Sequence, residues 1–148
     1  MTDAAIKKGS GAVDCPTFDD VAFVAPLDIT KAKVAIVTSA SLHHQDQEDF
    51  APTDAGYRVL ERLRRDLVVG HWSPNFDASG VAADINVVYP IDRLEEMAAA
   101  GAIGSVSDVH LAYAGNQFDL AAIRQDGGPA GAQYLKSQEV DVVVLTPV

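Results

Sequence analysis

Lys33-Val34-Ala35-Ile36-Val37-Thr38 opens on a cation and then runs through β-branched and small apolar residues without polar alternation. A strand of that pattern is covered on both faces, as in parallel sheets whose crossover helices pack on either side. Similar runs recur at Leu67-Val68-Val69, Ile85-Asn86-Val87-Val88-Tyr89, His110-Leu111-Ala112-Tyr113 and Val142-Val143-Val144-Leu145. About five strands result, near the mode for one sheet. Asp92-Arg93-Leu94-Glu95-Glu96-Met97-Ala98-Ala99-Ala100-Gly101 reads as a helix with acids near its start, Asp92 as its cap and a glycine stop. A second helix opens at Asp126-Gly127-Gly128-Pro129, with Pro129 at the first helical position. Residues 55–65 fit either a helix or an extended segment. Strands alternating with helices predict an α/β domain with a mostly parallel sheet, here over residues 33–148. Residues 1–32, punctuated by Asp, Pro and Gly around a short apolar patch at residues 21–25, read as an N-terminal arm.

The chain has 148 residues, 48% of them hydrophobic, enough for one domain with a real core at roughly 150 residues per domain. Lys and Arg number 11 against 21 Asp and Glu, a net charge of −10. That balance, without a basic run, argues against nucleic acid and anionic membrane surfaces, which need clustered cations. The single cysteine, Cys15, has no partner for an internal disulfide and no base nearby, and Cys/His finger spacing is absent. This usage, with no export signal and no apolar stretch approaching the roughly 20 residues of a membrane span, predicts a reducing cytoplasm.

Ligands of such folds sit outside the carboxyl ends of the strands, and four polar clusters fall near predicted strand ends. Thr38-Ser39-Ala40-Ser41-Leu42-His43-His44-Gln45-Asp46 follows the first strand. Its adjacent histidines lack metal-ligand spacing, so it reads as a solvated loop, with Thr38 and Ser39 as ligand contacts or caps. His71-Trp72-Ser73-Pro74-Asn75-Phe76-Asp77 follows the second. There His71 is either a general base or a half-buried histidine bonded to backbone. Asp84 and Asn86 share one face of the third predicted strand, and being polar in an apolar run they need partners, in a site or in a structural network. His110, inside an apolar strand, reads as a core residue ahead of the loop Gly115-Asn116-Gln117. Gly127-Gly128-Pro129-Ala130-Gly131 matches neither GxGxxG nor a P-loop.

Three segments carry a resemblance: residues 84–94, Gly101-Ala102-Ile103-Gly104-Ser105-Val106, and Asp141-Val142-Val143-Val144-Leu145-Thr146-Pro147-Val148. Together they resemble the glycine/sarcosine/betaine reductase selenoprotein B family, which includes the D-proline reductase selenoprotein subunit. The resemblance runs from about residue 30 to the end. It implies an α/β fold, flavodoxin-like and doubly wound, incomplete at the C-terminus. It also implies a selenocysteine or cysteine immediately after Val148, whose selenol or thiolate attacks a carbon–nitrogen bond and is regenerated by a dithiol. The expectation that follows is a chain ending where a selenocysteine codon was read as a stop. A short paralogue, or one half of a split reductase, are the competing expectations.

By the same resemblance, His71, Asp77, Asp84 and Asn86 are the expected catalytic residues, and Asp92, Arg93, His43 and His110 the expected substrate-binding ones. Histidines would give protons to a leaving amine, Arg93 would hold a carboxylate, and Asp84 and Asn86 would orient neighbours. No metal and no cofactor within the chain is expected. The expected partners are a small amine or amino-acid substrate and other reductase subunits, with no nucleic acid and no membrane. The fragment itself is expected to be inactive. Two other readings stay open: a non-catalytic α/β binding or assembly module acting with a second, Cys-bearing chain, and a metal hydrolase using His43, His44, Asp46 and His71.

Overall fold

The computed structural model describes residues 2–12, 17, 19, 23–73, 76–117 and 119–148; Cys15 and the start of the 21–25 patch lie outside them. Strand β1 (Lys33–Thr38) is the centre of the main sheet. On one edge it pairs in parallel with β7 (Val142–Thr146) from Val34↔Val142 to Thr38↔Thr146. Its other edge carries two short parallel strands in succession, β5 (Ser105–Val106) and then β6 (Val109–Tyr113). Between Lys33↔Ser105 and Val37↔Leu111 that edge uses two residues more than β1 does, so the ladder is interrupted by a bulge. Strand β3 (Tyr57–Glu61) closes the far side, antiparallel to β6. The five-stranded sheet is therefore mostly parallel, as expected.

The two faces of β1 feed two cores. Val34 and Ile36 face a cluster with Tyr89, Ile91 and Leu94, under helix α3 (Ile91–Ala99). Ala35 faces Leu111 and Leu135, under helix α4 (Gly128–Ser137). Alternation along the strand thus places a helix on each side, the doubly wound arrangement. Gly101, at φ +70°, ends α3 as its sequence foretold. The glycines of residues 127–131 allow close approach: a Cβ on Gly131 would collide with the Tyr113 hydroxyl, which donates to Gly127 O.

Several elements differ from expectation. Residues 85–89 are not a strand. Asp84 accepts the Asn86 N–H and caps a 3-10 turn, Ile85–Val87, so local side-chain bonding overrides the apolar run. Asp92 is not the cap of α3; Pro90 takes that position and Asp92 lies in the first turn. His43 and His44 are not in a solvated loop but in strand β2 (Leu42–His44), buried and antiparallel to β4 (Leu67–Val69), a pair separate from the main sheet. Strand β7 is not buried on both faces: Val143 is 38% and Leu145 71% exposed. Within residues 1–32 an eight-residue helix, α1 (Asp3–Ser10), forms with lysines in its last turn. A further short helix, α2 (Ala78–Ala83), precedes the 3-10 turn. Among the described residues no helix is long and apolar enough to cross a membrane.

Candidate functional site

The carboxyl ends of β1, β6 and β7 point the same way, and the segments leaving them converge with the loop that follows β4. A cavity of about 490 Å³ opens there, lined by His71, Asp77, Val87, Val88, Asn116 and Val148 among others. A strand-end position is where a mostly parallel sheet places its ligands.

Each wall is fixed by named bonds. Ser39, just past β1, accepts the Val148 N–H at 2.9 Å through its hydroxyl. Thr146 on β7 donates its hydroxyl to Val88 O at 2.8 Å, tying the sheet to the 3-10 turn. Behind that turn, the Asn86 amide donates to Asp84 Oδ1 and to Asp92 Oδ2, both at 2.8 Å, and its oxygen accepts the Asp92 N–H at 3.1 Å. Asp84, Asn86 and Asp92 therefore form one network that holds Val87 and Val88 against the cavity. Asp84 is kept below the usual carboxylate range by the Asn86 N–H and amide.

His71 stacks on Phe76, with ring centroids 4.3 Å apart. Its Nδ1 accepts the Ser73 N–H at 3.3 Å, which assigns the proton of the neutral ring to Nε2. Nε2 is buried without a hydrogen-bond partner among the described residues. Partial burial lowers the imidazole below its ordinary value, so the ring is neutral at pH 7. Asp77 caps α2, accepting the Ser79 N–H at 2.9 Å and the Ser79 hydroxyl at 2.6 Å; those bonds lower its pKa and keep it ionised.

Of the expected residues, His71 and Asp77 line the cavity, and Asp84, Asn86 and Asp92 support its wall. Arg93 does not line it; it is exposed on α3 and paired with Glu96 at 2.7 Å. His43 pairs with Asp49 at 2.9 Å. His110 sits in the core with Nδ1 accepting the Ile36 N–H. Asn116, Ser73 and Val148 belong to the cavity but were not among the expected site residues, although the rule that ligands meet strand ends already pointed to the loop after β6. Among the described residues no group of three or more His, Cys, Asp or Glu is arranged to hold a metal ion.

Comparison with known proteins adds a family to this geometry. Residues 8–148 match the family described as glycine/sarcosine/betaine reductase selenoprotein B. The chain is 31% identical over 116 residues to D-proline reductase subunit gamma of Acetoanaerobium sticklandii, a match covering 76% of this chain and 47% of that protein. It is 30% identical over 138 residues to glycine reductase complex component B subunit gamma of Symbiobacterium thermophilum, covering 88% and 32%. Betaine reductase complex component B subunit beta of Peptoclostridium acidaminophilum is 30% identical over 159 aligned positions, covering 99% and 36%. The chain thus spans about half or less of the length of these relatives. No solved structure gives a significant match.

Proposed function

The chain belongs to the glycine/sarcosine/betaine reductase selenoprotein B family, and from that premise we propose that it forms the substrate side of a dithiol-dependent reductase component that cleaves a carbon–nitrogen bond of an amino-acid derivative. The observation that carries this reading is the cavity at the carboxyl ends of β1, β6 and β7, which holds His71, Asp77 and Asn116 together with Val148. The family's selenol or thiolate, which the resemblance puts directly after Val148, supplies the nucleophile. The residues present suit that position: Ser39 holds the Val148 backbone, and Val148 itself lines the cavity.

In this reading His71, at the cavity wall, takes up a proton when the amine binds and passes it from its protonated form to the nitrogen that leaves. The lowered pKa makes its protonated form a stronger acid. Asp77 contributes a negative charge beside the amine, and Asn116 offers an amide that both donates and accepts. The Asp84, Asn86 and Asp92 network keeps the wall opposite in register. Arg93, paired on α3, is not assigned to the substrate carboxylate. Other reductase subunits are the proposed partners, in keeping with relatives that are components of reductase complexes. Residues 1–148 alone, with Cys15 as their single cysteine, are proposed to be inactive.

The experiment is turnover by the complete reductase complex carrying His71→Gln or Asn116→Ala. A loss of about 100-fold or more in kcat for His71→Gln, the usual scale of a proton-transfer group, supports the reading. Turnover within twofold of the parent in both variants overturns it.

A further inference from the structure

Ser41 lies two residues beyond Ser39, fully buried, with φ +54°. A non-glycine residue in that left-handed region is strained and persists only where surrounding contacts over-determine it. The contacts here are specific. The Ser41 N–H donates to Tyr113 O at 3.1 Å, and its carbonyl accepts the Gly70 N–H at 3.0 Å. Its hydroxyl oxygen accepts the Gly115 N–H at 3.0 Å.

Two of those three partners flank the same side chain. Gly70 immediately precedes His71 in the chain. Gly115 is the surface on which the His71 ring rests: a Cβ there would collide with His71 Nε2 and with Ser39 O. The absence of a side chain at 115 is therefore what lets the imidazole seat against the end of β6. Ser41 grips the backbone behind the histidine with its carbonyl and the backbone beneath it with its hydroxyl. Asn116, the next residue, is itself at φ +59°, so two left-handed residues bound this floor.

We propose that Ser41 is a positioning residue for His71, clamping the strand ends at Gly70 and Gly115 so that the imidazole is held at the floor of the cavity. Its consequence for turnover rests on the proposed role of His71, whereas the clamp itself is a statement about geometry and is testable without activity.

The test is the titration of the four histidine ring C–H signals by NMR in the full chain, for the parent, Ser41→Gly and Gly115→Ala. Glycine accepts φ +54° and retains both backbone bonds, so Ser41→Gly removes the hydroxyl bond while relieving the backbone strain. Gly115→Ala displaces His71 from the other side. The expected result is that both variants raise the His71 midpoint toward the ordinary imidazole value of ~6.5 as water reaches the ring, while His110, bonded to Ile36 in the core, keeps its own midpoint. An unchanged His71 in Ser41→Gly overturns the proposal. So does a parallel movement of His110, or failure of Ser41→Gly to fold, since either makes Ser41 a general framework residue. If His71 moves as expected yet His71→Gln leaves turnover of the complete complex intact, the clamp stands and only the catalytic reading falls.

Discussion

His110 Nδ1 accepts the backbone N–H of Ile36 at 2.9 Å, so a side chain completes the ladder of β1 where the bulge separates β5 from β6. The ring is wholly buried and meets Tyr89 edge-on at 5.3 Å. Replacing it by alanine strands the Ile36 N–H in the core and leaves a cavity. His110→Ala is expected to lose about 2–4 kcal/mol of stability, measured by urea unfolding near neutral pH. A loss under about 0.5 kcal/mol, the ordinary range of surface substitutions, would contradict the assigned role.

The same burial drives the His110 pKa down to about 4, with Arg62 and Arg65 adding repulsion to the charged form. The folded state therefore favours the neutral ring. In the unfolded chain the ring takes up its proton near pH ~6.5, so stability from this group is complete above that pH and is lost as pH falls toward about 4. The loss amounts to about 3 kcal/mol at most. Unfolding free energies between about pH 7.5 and about pH 4.5 should fall for the parent and fall less for His110→Ala; equal slopes would argue against the assignment.

Asn86 stands between two carboxylates and donates to both. Asn86→Ala loses those bonds, at about 1–2 kcal/mol. Asn86→Asp adds a third negative charge in their place and is expected to be worse than alanine, most visibly at low salt. Thermal unfolding of the two variants at about 20 mM and about 500 mM salt reads this ordering. If Asn86→Asp proved more stable than Asn86→Ala at low salt, the network would drop out of the account of the cavity wall.

Strand β3 has one edge away from β6, and side chains occupy it. His44 Nε2 accepts the Glu61 N–H at 3.0 Å, with its Nδ1 donating to Asp66, and Gln47 donates to Val59 O at 3.1 Å. Capping the ladder in this way prevents pairing with another chain. The double variant His44→Ala, Gln47→Ala should form concentration-dependent oligomers in analytical ultracentrifugation under conditions where the parent does not. Unaltered sedimentation would contradict this function of the two side chains.

The core of the sheet was readable because β1, β6 and β7 are β-branched or apolar runs whose burial depends on their own composition. Residues 85–89 have similar composition, yet Asp84 and Asn86 at their start offer the backbone closer partners than a neighbouring strand would. Strand β2 was hidden for the opposite reason. His43 and His44 look solvated, and their burial depends on Asp49, Asp66 and the Glu61 N–H, partners fixed only by tertiary folding. The open face of β7 is not encoded in that strand's own composition, since local hydrophobicity does not say which strand lies at an edge. In the cavity, His71 and Asp77 announced themselves as ionisable groups after a strand. Ser41 and Asn116 matter through backbone conformation and loop convergence, which residue type alone does not encode.

Whether the cavity beside His71 receives the amine substrate is decided by a crystal structure of the assembled reductase with an amine bound. The amine nitrogen should lie within hydrogen-bonding distance of His71 or Asn116, at the carboxyl ends of β1 and β6. An amine bound away from this cavity, with His71 Nε2 still unpartnered, would contradict that placement.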